Sequence, residues 1–313
     1  PRVPLAAWRV PVGPPGDLLG RTEAGSTSVT RVRESQLKAV VRRVRRAARL
    51  FHSAIMGRET CRACGFRGRK TRTPILSDEL VGEWGLTDEW RGYFDAREGV
   101  ACVRCVCNER ASHLAATLLD VIRGRVAVTS PDLDHAMRDE RSWSLRIAEI
   151  NSAHGLHRFL ARSPQVAYSE FGSSDPAIPS EDLLALTHGD ESFDIVLTSD
   201  TLEHVPDVDG AFREIFRVLK SGGAHVFTVP VVWDRPETVQ RARVDAGVVR
   251  HLLPPSHHGG QDEKKGDFLV FYEFGRDIVA RCRNAGFEVD VRHDPGNPAV
   301  ATFVATKPLS PSG

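Results

Sequence analysis

The chain has almost no charge of either sign to spare. Against 42 lysines and arginines stand 41 aspartates and glutamates, a net +1 over 313 residues. That balance excludes a general electrostatic attraction to nucleic acid, although the charge is spread unevenly. No apolar run approaches the roughly 18 residues that suggest a membrane span. The sequence begins at Pro1 without methionine or a signal-like apolar stretch, so a cytoplasmic location is expected, and with it free thiols rather than disulfides. What is present is 41% hydrophobic residues, the content of an ordinary soluble protein, in a chain long enough for one large α/β domain and a smaller module.

The most informative stretch runs from Phe193 to Pro230. Phe193 to Leu197 is a short, β-branched apolar run, as in a buried parallel strand. Thr198, Ser199, Asp200, Glu203 and His204 crowd its carboxyl end, where open α/β sheets place their ligands. From Asp207 the period changes: Val208, Ala211, Phe212, Ile215, Phe216, Val218 and Leu219 share a helical face, while Arg213, Glu214, Arg217 and Lys220 point away from it. Asp207 and Asp209 suit the start of that helix, and Ser221, Gly222 and Gly223 its end. Ala224 to Val229 then reads as a second buried strand, completing the βαβ grammar of a parallel sheet.

The segments ESFDIVLTSDTLEHVPD and AFREIFRVLKSGGAHVFTVP closely resemble the fourth and fifth strands of class I S-adenosylmethionine-dependent methyltransferases. The likeness extends from about Arg141 to Lys307. It implies a Rossmann-like seven-stranded α/β sheet with helices on both faces, whose last two strands form an antiparallel pair. Ser144 to Ile150 matches the first strand, with Glu149 where the family has an acid near its end. The family's glycine-rich turn is replaced here by Asn151-Ser152-Ala153-His154-Gly155, keeping only the last glycine. These small residues permit a similar turn around the methionine end of the cofactor, with less backbone freedom. Val166 to Phe171 matches the second strand, and Glu170, beside Phe171, stands where the family binds both ribose hydroxyls. Asp182 and Leu183 match the segment flanking adenine, and Ser199 and Asp200 complete the expected cofactor set.

On the acceptor side, His204 is the first candidate for a base that removes a hydroxyl proton; the alternative is that it only shapes the turn. Residues 231–273 form an insertion where class I enzymes build a substrate cover, and His257 or His258 within it is a second candidate base. A loop histidine pair also suits surface structure, or a metal shared with Asp262 or Glu263. The phrase HLLPPSHHGG near FYEFG is similar to the corresponding insertion of methyltransferases from polysaccharide and natural-product biosynthesis.

Towards the amino end, residues 1–30 read as a proline- and glycine-rich tail or strap, and 31–57 as a basic amphipathic helix. That helix packs its valine face on the main domain, or meets an anionic membrane surface or nucleic acid. Residues 58–110 carry Cys61-x2-Cys64 and Cys102-x2-Cys105, a spacing suited to structural tetrahedral zinc, with Cys107 as a spare thiol or alternative ligand. Separate buried or oxidised thiols are the other reading. Residues 111–313 then form the methyltransferase-like domain, entered through a linking helix at Ala111 to Ile122 and a connection at Gly124 to Asp139 holding at most one short strand.

The expectation is therefore methyl transfer to a small-molecule or sugar acceptor at a hydroxyl, with S-adenosylmethionine and structural zinc as cofactors. Two alternatives stand beside it. An RNA methyltransferase would hold its substrate with the zinc module and basic helix. A noncatalytic scaffold would have kept the fold after the glycine-rich turn decayed.

Overall fold

The structure, a computed structural model, describes residues 59–258 and 268–310. The expected tail, the basic helix, and Asp262 and Glu263 lie outside the described residues. In the amino-terminal module, β1 (Lys70–Arg72) and β2 (Val100–Cys102) pair antiparallel. Between them run the helices Asp78–Glu83 and Asp88–Gly99, started by the side chains of Ser77 and Thr87, which accept from Leu80 N and Trp90 N. Asn108 caps the longer helix Glu109–Arg123 in the same way.

The central sheet is built from β3 (Ile147–Ile150), β4 (Val166–Ser169), β5 (Phe193–Ser199) and β6 (Leu219–Thr228). The insertion follows as β7 (Val239–Gln240), β8 (Ala242–Asp245), β9 (Val248–His251), β10 (His257–His258), β11 (Phe268–Leu269) and β12 (Tyr272–Glu273), paired two by two outside the main sheet. β13 (Glu288–Asp294) and β14 (Asn297–Thr306) close the chain. The sheet order is β13-β14-β6-β5-β3-β4, with β4, β3, β5 and β6 parallel and the last pair antiparallel. This is the Rossmann-like α/β arrangement expected, with a correction. The main sheet holds six strands, not seven, among the described residues. Between β4 and β5 the chain forms turns, where Pro176 and Pro179 remove backbone donors a ladder would need.

Alternation along the strands builds a core on each face. Ile147, Ile195, Leu197, Ala224 and Val226 pack on one side with Leu114, Leu118 and the cysteines of the module. Ala148, Phe193, Val196, Phe227 and Phe303 pack on the other, under the helices Val208–Val218 and Ile278–Asn284. The module is therefore fused to the sheet through a shared apolar core.

Two local expectations change. The helix begun by Asp207, whose carboxylate accepts from Gly210 N at 2.9 Å, stops at Val218, not at Ser221 to Gly223. Ser192 N and Glu191 N take up the carbonyls of Val218 and Arg217. Ser221, Gly222 and Gly223 instead bulge within β6, where Gly222 has φ +74° and the register against β5 shifts. The connection from Gly124 holds a helix, Leu133–Arg138, capped by Asp132, rather than a strand.

Candidate active site and metal centre

The two cysteine pairs fold as matching knuckles. Gly65 N bonds to the Cys61 carbonyl and Val106 N to the Cys102 carbonyl, each at 2.8 Å, and both Gly65 and Val106 are left-handed, at φ +67° and +58°. The turns aim the thiols of Cys61, Cys64, Cys102 and Cys105 inward, so that all four sulfurs lie within 4.8 Å of one another and all are buried. Cys61 and Cys105 sulfurs are 3.5 Å apart, Cys64 and Cys102 3.9 Å. Around one zinc at about 2.3 Å, tetrahedral sulfurs stand roughly 3.8 Å apart, so the donor set fits that ion. The thiols of Cys105, Cys61 and Cys64 drive Cys102 toward the thiolate. Cys107 is buried beside this centre but outside the four, its sulfur against Gly155.

The turn after β3 reproduces with other residues what glycines normally allow. Asn151 and His154 both take left-handed backbone, at φ +60° and +53°. Held at a strand end, such conformations mark a site whose surroundings over-determine the backbone. Glu149 is fully buried; it accepts from Ala153 N at 2.9 Å and pairs with His157 Nδ1 at 2.7 Å, bracing the turn from below. That hydrogen bond raises the His157 pKa. Asn151 Oδ1 accepts from Phe171 N at 2.8 Å, tying the turn to the end of β4. Ser152 is half-buried and Ala153 buried, while Phe171 is exposed. Glu170 stands at this end and receives the Tyr168 hydroxyl. Asp182 accepts from Leu184 N at 2.9 Å, and burial raises its pKa. Leu183 is buried in the apolar cluster with Ala148 and Ile150.

The dominant electrostatic feature at the end of β5 is one that no sequence motif announces. Arg97, only 2% exposed, sends two hydrogen bonds of 2.7 Å to the Asp200 carboxylate. Arg110 lies 3.1 Å from the same carboxylate, bonds to Glu98 at 2.9 Å and reaches Ser199. Asn108 and Thr228 complete the set, donating to Glu98 at 2.6 Å and to Asp200 at 2.9 Å. Burial alone would push the Asp200 pKa up, but Arg110 and Arg97 hold it well below the usual carboxylate range. Ser199 and Asp200 therefore face cations from the amino-terminal module. Arg97 and Arg110 carry no motif, and their partners are remote in sequence.

The histidines separate by environment. His204 is half-buried, its Nδ1 donates to the Leu269 carbonyl at 3.0 Å, and burial depresses its pKa. His258 lies 4.9 Å from it, ring centre to ring centre. His257, its neighbour on β10, is exposed. The insertion that carries both is clamped by buried Arg241, which reaches Glu273 and bonds to the Pro254 carbonyl at 2.7 Å. Trp84 and Trp90 of the module donate to Ser256 and Asp234 of the insertion, at 3.3 and 2.6 Å.

Residues 161–227 match the family described as "Methyltransferase domain". A ubiquinone biosynthesis O-methyltransferase of Albidiferax ferrireducens is 31% identical over 158 residues, 50% of this chain and 52% of that protein. A demethylmenaquinone methyltransferase of Roseiflexus castenholzii is 52% identical over 42 residues, 13% of this chain and 18% of that one. Among solved structures, an S-adenosylmethionine-dependent methyltransferase from Mesorhizobium loti is 18% identical, covering 52% of this chain and 90% of that one, with a TM-score of 0.32. The chain is thus similar to methyltransferases over residues 161–227 and the segments flanking them. It spans about half the length of the first of these curated relatives and less of the second.

Proposed function

We propose that this protein transfers a methyl group from S-adenosylmethionine to a hydroxyl of a small-molecule acceptor. The observation that carries the reading is the turn Asn151 to Gly155, which keeps left-handed residues where the glycines are gone and is tied by Asn151 to the end of β4. Such backbone persists only where its surroundings over-determine it, and it clusters at ligand sites.

The residues at this edge fit the cofactor's chemistry. Glu170 and Asp182 would take the ribose hydroxyls and the adenine amino group, and the backbone of residues 151–155 together with Ser199 and Asp200 would meet the methionine end. When bound, S-adenosylmethionine supplies an electrophilic methyl group on a sulfonium. The chain's share is to align the acceptor, keep water out and receive one proton. His204 suits the role of proton acceptor. With Nδ1 donating to Leu269, its Nε2 carries the free lone pair, and its depressed pKa keeps it unprotonated near neutrality. The exposed His257 is the weaker base candidate and His258 the nearer one. A relative named for O-methylation in ubiquinone biosynthesis supports oxygen in a ring-bearing small molecule as the acceptor atom. Zinc held by Cys61, Cys64, Cys102 and Cys105 would be structural, because four protein thiolates leave no open position.

The test is methyl transfer from labelled S-adenosylmethionine to a panel of phenols, hydroquinones and sugars. Transfer to oxygen of at least one compound, falling at least 100-fold in His204→Ala, is expected. Turnover at the wild-type rate in that variant would exclude His204 as the base.

A further inference from the structure

Glu203 sits one turn beyond β5, completely buried, with both carboxylate oxygens lacking a hydrogen-bond donor among the described residues. Its backbone is pinned by Phe271 N, which bonds to the Glu203 carbonyl at 2.7 Å. A buried ionised carboxylate needs a compensating positive charge. Two imidazole nitrogens approach Glu203 Oε1, His204 Nε2 at 3.9 Å and His258 Nε2 at 4.0 Å, and Arg110 lies within electrostatic reach. Neither nitrogen reaches hydrogen-bond distance, and the two nitrogens and the carboxylate oxygen lie within 4.8 Å of one another.

This is the donor set of a divalent transition-metal ion. His204 Nδ1–H is committed to the Leu269 carbonyl, the outer contact that fixes a ligating histidine's tautomer and leaves Nε2 free. Phe268 lies 5.7 Å from the His204 ring and Trp84 5.5 Å from His258, an aromatic wall that limits water. Ligands at about 2.1 Å from one ion stand roughly 3 to 3.4 Å apart, so each Glu203–imidazole distance would close by about 1 Å or less and the imidazole pair by about 1.8 Å at most.

We propose that Glu203, His204 and His258 form a second metal site, distinct from the cysteine centre, that takes a divalent first-row transition ion such as zinc, iron, manganese or cobalt. Two imidazoles and one carboxylate favour these ions over magnesium or calcium. Three protein ligands leave positions open for an oxygen of a small ligand. The site spans two parts of the fold, with two ligands after β5 and the third from the insertion, so an ion there would also hold the insertion down. Its bearing on catalysis rests on the methyl-transfer reading: the base role of His204 belongs to the metal-free site, whereas with an ion bound its Nε2 would be a ligand and a coordinated hydroxyl would lose its proton to solvent water.

The experiment counts metal. Protein with its cysteine centre filled by one equivalent of zinc is titrated with Co2+ and followed by equilibrium dialysis, elemental analysis and visible absorption. One further equivalent of cobalt is expected, with weak bands from nitrogen and oxygen ligands and without thiolate charge-transfer bands. Glu203→Gln and His258→Gln should each weaken this binding at least tenfold, while His257→Gln should leave it unchanged. Because His258 is only half-buried, its variant carries the test if Glu203→Gln does not fold. Cobalt uptake absent from the wild type, or equal in His258→Gln, would overturn the site. Cofactor binding, measured separately, reports on the methyltransferase reading whatever the metal count.

Discussion

Arg97 and Asp200, 103 positions apart, are joined by two parallel hydrogen bonds of 2.7 Å each. The pair fastens the helix Asp88–Gly99 of the cysteine-bearing module to the carboxyl end of β5, where the family resemblance places the boundary between cofactor and acceptor. It makes the module part of the site's wall. Truncating Arg97 to alanine leaves Asp200 short of a buried partner and should cost about 3–5 kcal/mol in urea denaturation. The double variant Arg97→Met with Asp200→Leu should lose clearly less than the two single losses added together. Simple additivity would mean that the fork contributes nothing to the fold.

The metal centre should be a keystone of the whole domain. The thiols of Cys61, Cys64, Cys102 and Cys105 share one apolar cluster with Leu114, Leu118, Ile147 and Ile195 of the sheet face. Chelation should therefore lower the melting temperature of the entire protein in one transition, releasing one zinc per chain, and Cys64→Ala should behave like the chelated protein. A separate low-temperature transition confined to the module would contradict this.

The two knuckles predict opposite mutational signs. Val106 is a β-branched residue in left-handed backbone and 59% exposed, a conformation that costs a non-glycine residue about 1–2 kcal/mol. Val106→Gly should therefore raise stability by about 1 kcal/mol. At the equivalent position Gly65, a Cβ would stand 2.3 Å from a carboxylate oxygen of Asp132, the cap of helix Leu133–Arg138. Gly65→Ala should be strongly destabilising. Thermal melts of both variants settle the pair.

Acid should weaken the fold through a histidine. His225 is fully buried, shares a 2.9 Å hydrogen bond with the Thr198 hydroxyl, and burial pushes its pKa down to about 3. The unfolded chain binds this proton below about pH 6.5 and the folded chain does not, so stability falls as pH drops from about 6.5 toward 3. The slope from this one group is at most about 1.4 kcal/mol per pH unit. His157 works in the opposite sense, since Glu149 raises its pKa and its contribution is lost as pH rises through the folded value. Denaturation at pH 7, 6 and 5 should show a shallower fall in His225→Gln than in the wild type.

Much of the fold can be read in the sequence because its signals are local. The period change at Asp207, the capping aspartate and the buried runs on either side place β5, a helix and β6 with little error. The bulge at Ser221 to Gly223 escapes because glycines that end a helix and glycines that bend a strand look alike until the neighbouring strand is known. The absent third main-sheet strand follows from a segment broken by prolines, against the family pattern. In the site, the strand-end residues follow from family position, whereas Arg97, Glu98 and Arg110 do not. Their meaning comes only from the module being folded onto β5, a contact that no periodicity announces. Glu203 is similar: its identity is plain in the EH pair, its lack of a partner only in three dimensions.

The proposed methyl transfer depends above all on whether the altered turn from Asn151 to Gly155 binds S-adenosylmethionine. The most direct measurement is calorimetric titration of the zinc-loaded protein with S-adenosylmethionine and S-adenosylhomocysteine, in the wild type and in Glu170→Ala. Micromolar-range binding of both ligands, about −8 kcal/mol, and its loss in the variant are expected. No heat with either ligand in correctly folded wild-type protein would contradict a cofactor-binding turn.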